Sequence, residues 1–237
     1  MTRSQTFLTA GLLVLAAVLA NLGFIALGSI FDYPQVLGRP AAEILEAFTA
    51  NQAAISLWFV VLAVGAALFA PVAILVGRRS HAPLMRVAAV VGIAAAIVQV
   101  VGLSRWPILV PGIAERYLAG DAVARAAAAA DFTTIHRVLG TIVGETLGYG
   151  FTAMWTILVL AVLGRSLAGR WFMALGVTSA VMIATGVLIP LGFDAFDLVN
   201  FTGYVLWSAW LVAFAIVLVR SLRRPAARVA TARAVAA

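Results

Sequence analysis

The chain has 237 residues, 64% of them hydrophobic and only 11% charged, with a mean hydropathy of +1.10 and a net charge of +7. A water-soluble domain is nearer half apolar, so this composition is that of an integral membrane protein. It contains no cysteine and all 16 basic residues are arginine, which excludes disulfides, thiolate chemistry, iron–sulfur clusters, a retinal-type Schiff base and the lysine of a Walker loop.

Six stretches are long enough to cross a hydrocarbon core of about 30 Å, which takes roughly 20 helical residues. In chain order they are Thr6 to Ile30, Ile55 to Val76, Val87 to Leu103, Val138 to Leu163, Trp171 to Leu191 and Val199 to Val219. Backbone groups in lipid must be satisfied within the segment, so helices are expected, and the alternation of a membrane β-barrel is absent. The first stretch has a longer apolar run than a secretory signal and is followed by further spans, so it reads as an uncleaved first helix. Between spans one and two, FDYPQVLGRP is turn-rich and AAEILEAFTANQAA reads as a short helix with Ile44, Leu45 and Phe48 on one face. Between spans three and four, IAERYLAG and the alanine-rich DAVARAAAAAD read as further short helices. There Asp121 is placed to cap one helix and Asp131 to cap the helix that becomes span four; Asp197 is read as the cap of span six. Residues 1–221 are expected to form one transmembrane domain, and 222–237 a basic, disordered tail. The expected fold is an all-α six-helix bundle.

Orientation is read from the arginines. Arg3, Arg78, Arg79, Arg86, Arg165, Arg170, Arg220, Arg223, Arg224, Arg228 and Arg233 fall at the two ends of the chain and in the second and fourth connections, with no acid among them. All nine acids share the other side with Arg39, Arg105, Arg116, Arg125 and Arg137. The first set marks the cytoplasmic face, so both termini are expected inside. The basic balance thus reports membrane orientation, and no nucleic-acid partner is expected. His81 and His136 then lie on opposite faces, which excludes a haem held by two histidines of one chain.

The polar residues inside the spans are few. Glu145 is the only charged residue within any of these windows, and Arg105 lies just beyond the third. Each is 18 residues from the inner end of its helix, about 27 Å at the helical rise, so the two are expected at one level with an ion pair open to them. Asn21, Tyr149, Asn200 and Tyr204 count to the same outer part of the bilayer, with Gln99 deeper. In span four, Gly140, Gly144 and Gly148 form a small-residue stripe suited to close packing. On a regular α-helix, at about 100° per residue, Glu145 shares a face with Thr141, Tyr149, Thr152 and Thr156 and lies opposite His136. His136, Asp131 and Asp32 are outer-face candidates for a site, but no metal-ligand spacing accompanies them and neither a metal nor a cofactor is expected. The tryptophans, mostly near span ends, are read as an interfacial aromatic belt.

The motifs FDYP with a following EIL helix, RWP after span three, HRVLGTIVGETLGY at the start of span four and GYVLWS in span six resemble an uncharacterised family of bacterial polytopic membrane proteins, a domain of unknown function. The resemblance covers nearly the whole chain; it implies a bacterial inner-membrane bundle and brings no activity, substrate or site residue with it. From the residues, the first reading is a multi-pass protein whose cluster of Glu145, Arg105, Tyr149, Thr141, Asn21, Asn200 and Tyr204 binds a small or amphiphilic ligand or serves a sensory or accessory role. A secondary transporter using Glu145 and an intramembrane enzyme or metal site are the alternatives, enzyme activity being the less expected. The lipid bilayer is the expected partner, with a small-molecule or lipid ligand and a homo-oligomer left open.

Overall fold

A computed structural model describes residues 2–193 and 195–222. Six helices among them are long and apolar enough to cross a membrane: Arg3–Phe31, Gln52–Gly77, Pro83–Ala119, Ala122–Leu167, Arg170–Leu191 and Phe196–Ser221. No strand occurs among the described residues. The third and fourth helices run far past the windows anticipated for them, because the short segments expected between them are helical and continue the spans end to end. Asp194 and the arginines of the tail from Arg223 lie outside the described residues, as does the expectation for a disordered tail.

Local chemistry explains where each element starts and bends. The first helix, α1 (Arg3–Phe31), opens on a capping box: Thr2 Oγ1 accepts from the Gln5 backbone N–H at 3.2 Å, and Gln5 Oε1 accepts from the Thr2 N–H at 3.0 Å. It ends at Asp32, which adopts a left-handed φ of 52°. A 3-10 turn (Gln35–Gly38) leads to α2 (Ala41–Ala50). The second span is α3 (Gln52–Ala67) and α4 (Phe69–Gly77), jogged at Leu68. Pro71 accounts for the jog, since it offers no N–H to Ala67, four residues back. Likewise α5 (Pro83–Ile108) breaks at Leu109 into α6 (Val110–Ala119), between Pro107 and Pro111. Asp121 caps α7 (Ala122–Ile135) as expected, accepting from Ala124 N–H at 2.9 Å.

Asp131 does not cap anything. It lies inside α7, which passes without interruption into a π-helix (His136–Leu147), and its carboxylate instead pairs with Arg116 at 2.8 Å. The span continues as α8 (Gly148–Val159), a second π segment (Leu160–Gly164) and the short α9 (Arg165–Leu167). Gly169 turns the chain at φ 76°, a left-handed conformation natural to glycine, into α10 (Arg170–Ala184). A 3-10 segment (Thr185–Leu191) follows, where Pro190 removes the bond to Gly186. The last helix is α11 (Phe196–Ser221); Asp197 sits within its first turn and its N-cap is Ala195, so Asp197 complements the helix dipole and is not the cap.

Consecutive spans are neighbours, and α11 packs on α1, so the six spans close into a ring. Two apolar cores fill it. At the end carrying both termini, Leu13, Phe69, Val76, Met85, Trp155, Phe172, Trp210 and Phe214 pack together. At the other end, α2, α6 and α7 fold over the bundle, and Phe31, Tyr33, Ile44, Phe48, Phe59, Trp106, Ile113 and Phe132 form the second core. This cap is fastened by the Arg39–Asp32 and Arg116–Asp131 ion pairs and by Tyr117 donating to Glu46 at 3.4 Å. The short helices are therefore parts of a second core.

The aromatic belt expected of the tryptophans is corrected here. Trp106, Trp155 and Trp210 are wholly buried in the two cores, while Trp171 is 54% exposed. A window of hydropathy places a tryptophan along the membrane normal but says nothing of whether it points into the ring. The apolar exterior is made instead of side chains such as Ile25, Val90, Ile97 and Val181, all exposed, as a bilayer requires.

Candidate functional site

Between the two apolar cores lies a polar layer. Asn21 donates to Ser208 Oγ at 2.9 Å, tying α1 to α11, and Gln99 donates to Thr152 Oγ1 at 3.1 Å, tying α5 to α8. Trp207 Nε1 donates to Thr156 Oγ1 at 2.9 Å, and Asn200 donates to the Ile183 carbonyl at 2.8 Å. Each of these crosses from one span to another. Asn21 and Asn200 are thus clasps holding the ring through their side-chain N–H groups.

The π-helix changes the geometry of span four. Bonds from residue i to i+5 widen the turn to roughly 4.4 residues, about 82° per residue, so nine residues complete two turns to within about 20°. His136 and Glu145 therefore lie on one side of the segment, not on opposite sides as a regular α-helix would set them. Thr146 Oγ1 donates to the Thr141 carbonyl, five residues back, at 2.8 Å, a bond that follows the π spacing. Such segments are frequent at functional sites, and a run of 12 residues is long for one.

The glycine stripe holds this segment against α5. The Gly140 Cα faces the Arg105 guanidinium, Gly144 meets the backbone of Gly102, and Gly148 faces Gln99. With Gly144 opposite Gly102, Glu145 lies near Gly102 on the neighbouring helix. Arg105 is 3% exposed and folds back so that Nη1 donates to the Gly102 carbonyl at 2.5 Å. Its Nη2 reaches His136 Nδ1 at 3.3 Å, and the guanidinium lies 5.2 Å from the Trp106 ring. Because an arginine only donates, Nδ1 of His136 is the acceptor and Nε2 carries the proton in this arrangement. The His136 ring stacks in turn on Phe132, at 5.8 Å and 1° between planes.

Neither ion pair found within 4 Å among the described residues involves Arg105 or Glu145. The carboxylate of Glu145 is half-buried and receives no hydrogen bond from any described residue. It lies within electrostatic reach of Arg105, Asp197, Tyr33, Tyr149 and Tyr204. The Tyr149 and Tyr204 rings are 5.8 Å apart, and Tyr204 is 6.2 Å from Trp207. Burial pushes the Tyr33 hydroxyl above its ordinary range; the Glu145 carboxylate adds to the push and Arg105 opposes it.

These placements sort the candidates. Glu145, Arg105, Tyr149 and Tyr204 come together; Thr141 lies on the same π segment. His136 joins through Arg105. Asp131 and Asp32 do not join, since each is paired to an arginine in the cap, and among the described residues no three His, Asp or Glu side chains converge as a metal would require. Tyr33 was missed. It belongs to a connection of the chain, and only the folding of that connection back over the ring brings it toward Glu145.

The family can now be stated. Residues 8–234 match a family described as a domain of unknown function, DUF4386. The chain belongs to it. No curated protein and no solved structure matches. For a DUF4386 member the polar layer must therefore be read on its own chemistry, and the resemblance drawn from the FDYP, RWP, HRVLG and GYVLWS motifs holds over nearly the entire length.

Proposed function

We propose that this DUF4386 protein binds a small or amphiphilic ligand at the Glu145 cluster, as a receptor or accessory component of the bacterial inner membrane. Both termini would face the cytoplasm, as the segregation of arginines suggests, and the cluster would open toward the opposite face. The observation that carries this reading is the carboxylate of Glu145. An intramembrane charge is costly and is ordinarily paired, yet Glu145 has no donor among the described residues while Arg105 nearby is engaged by Gly102 and His136. A purely structural glutamate would be expected to hold one of the clasps made by Asn21, Gln99, Asn200 and Trp207. Transport is the weaker reading, because the core of Trp155, Phe172, Trp210 and Phe214 beneath the cluster is fully buried and would have to part.

The absence of cysteine makes the test direct. Single Thr141→Cys and Tyr149→Cys variants in sealed vesicles of known orientation are treated with a membrane-impermeant thiol reagent. Labelling from the face opposite the termini is the expected result. Failure of both positions to react from that face, in protein that labels fully once unfolded, would overturn the reading.

A further inference from the structure

We propose a second binding site, at the end of the bundle that carries both termini: the groove between spans four and five seats an anionic phospholipid, its phosphate between Arg165 and Arg170. This inference does not rest on the ligand-site reading above. Gly169 turns the chain from α9 into α10, and Arg165, Gly169, Arg170 and Met173 line an open pocket of about 540 Å³ at that turn. A methyl group placed on Gly169 would meet nothing within 4 Å, so the turn itself leaves the pocket clear. Both arginines are exposed, and neither belongs to the ion pairs found among the described residues.

Charge selects the class of partner. No acidic residue occurs between Glu145 and Asp194 in the chain, and the other spans bring Arg3, Arg78, Arg86 and Arg220 to the same end without an acid among them. The protein therefore offers no carboxylate to neutralise Arg165 and Arg170. A phosphate does so, and its oxygens match the planar fork of a guanidinium. A zwitterionic headgroup would carry its ammonium into the same uncompensated field, whereas an anionic one adds only the charge the arginines attract.

The walls of the groove fit the rest of a lipid. In span four, Ile157, Ala161 and Arg165 recur every four residues on one exposed face; in span five, Arg170, Val177 and Val181, seven and four apart, form another. The two faces adjoin, because the helices touch between them: a methyl on Gly164 would meet Met173, and one on Gly176 would meet Leu160. An acyl chain running from the arginines into the bilayer thus has exposed apolar side chains on both sides. Trp171, beside Arg170 and largely exposed, sets an indole at the level where headgroups lie.

The full wild-type chain in neutral maltoside micelles is titrated with phosphatidylglycerol, with phosphatidylcholine of the same acyl chains and with glycerol 3-phosphate, and bound molecules are counted by native mass spectrometry. Phosphatidylglycerol is expected to be held at least about tenfold more tightly than phosphatidylcholine. Equal retention of the two lipids, or retention of neither, would overturn the anionic headgroup. Glycerol 3-phosphate bound as tightly as phosphatidylglycerol would overturn the lipid. Arg165→Gln with Arg170→Gln is expected to remove the preference, whereas Arg78→Gln with Arg86→Gln, which takes the same charge from the same end, is expected to keep it. If both double variants lose it equally, the attraction is the diffuse field of the arginine-rich end and the groove is not a site. All four side chains are exposed, so neither double variant disturbs packing, and the headgroup comparison on the wild-type chain stands without them.

Discussion

Gly102 on α5 meets the backbone of Gly144 on the π-helix closely, and this contact supports a quantitative prediction. A methyl group placed on Gly102 would lie 2.5 Å from the Gly144 Cα and 3.0 Å from the Leu139 carbonyl oxygen. Both obstacles are backbone, so no rotamer change relieves them, and the two segments must separate by about 1 Å. Overpacking of this kind costs about 3 kcal/mol at the upper end of its usual range. Alanine recovers about 1 kcal/mol in helix propensity over glycine, leaving Gly102→Ala destabilised by about 2 kcal/mol. The control is Gly150→Ala: nothing lies within 4 Å of its added methyl, so only the propensity gain of about 1 kcal/mol remains. Unfolding in maltoside by added dodecyl sulfate, read by tryptophan fluorescence, should place the two variants on opposite sides of wild type. If Gly102→Ala unfolds together with Gly150→Ala, the close contact that holds the π segment on α5 does not exist.

Glu145→Gln should unfold at or slightly above the wild-type midpoint, because it removes a costly charge without breaking a bond to protein; a loss above about 1 kcal/mol would mean the carboxylate is structural. Arg105→Lys and His136→Phe should be coupled by about 1 kcal/mol in a double-mutant cycle; strictly additive effects would remove the bond between them. Asn21→Leu should cost about 0.6 kcal/mol, the average for a hydrogen bond between membrane helices, and Ser208→Ala should add nothing further to it. Tyr33 has its hydroxyl held above its ordinary value of 10.0, so the folded state favours the protonated form. Its contribution to stability is full below pH 10 and falls as the pH rises beyond it, and Tyr33→Phe should flatten that alkaline decline in a melting series from pH 8 to 11.

Much of the site's content was legible in the residues. Glu145 stood out as the only charge within the span windows, and the Gly140, Gly144 and Gly148 stripe predicted the close packing that the structure contains. The geometry between residues was not legible. Dihedral counting at the α-helical period put His136 opposite Glu145. A π-helix breaks that inference, because each residue then advances through a smaller angle, and packing against α5 decides whether the wider turn forms. Nor could hydropathy tell a tryptophan facing lipid from one in the core, as Trp106, Trp155 and Trp210 show.

By itself the chain determined what depends on runs of residues: an apolar content that demands a bilayer, six spans, the helical state of the intervening segments, and the arginine asymmetry from which orientation is proposed. These follow from solvation, a property each segment carries alone. Tertiary structure decided what depends on pairs of distant residues. It closed the ring of α11 on α1, folded α2, α6 and α7 into a second core, gave Arg105 to His136 and Gly102, and left Glu145 beside the tyrosines without a donor among the described residues. A hydrogen bond or a close glycine contact needs both partners within a few ångströms and correctly turned, and one-dimensional periodicity carries that information only as far as the helix stays regular.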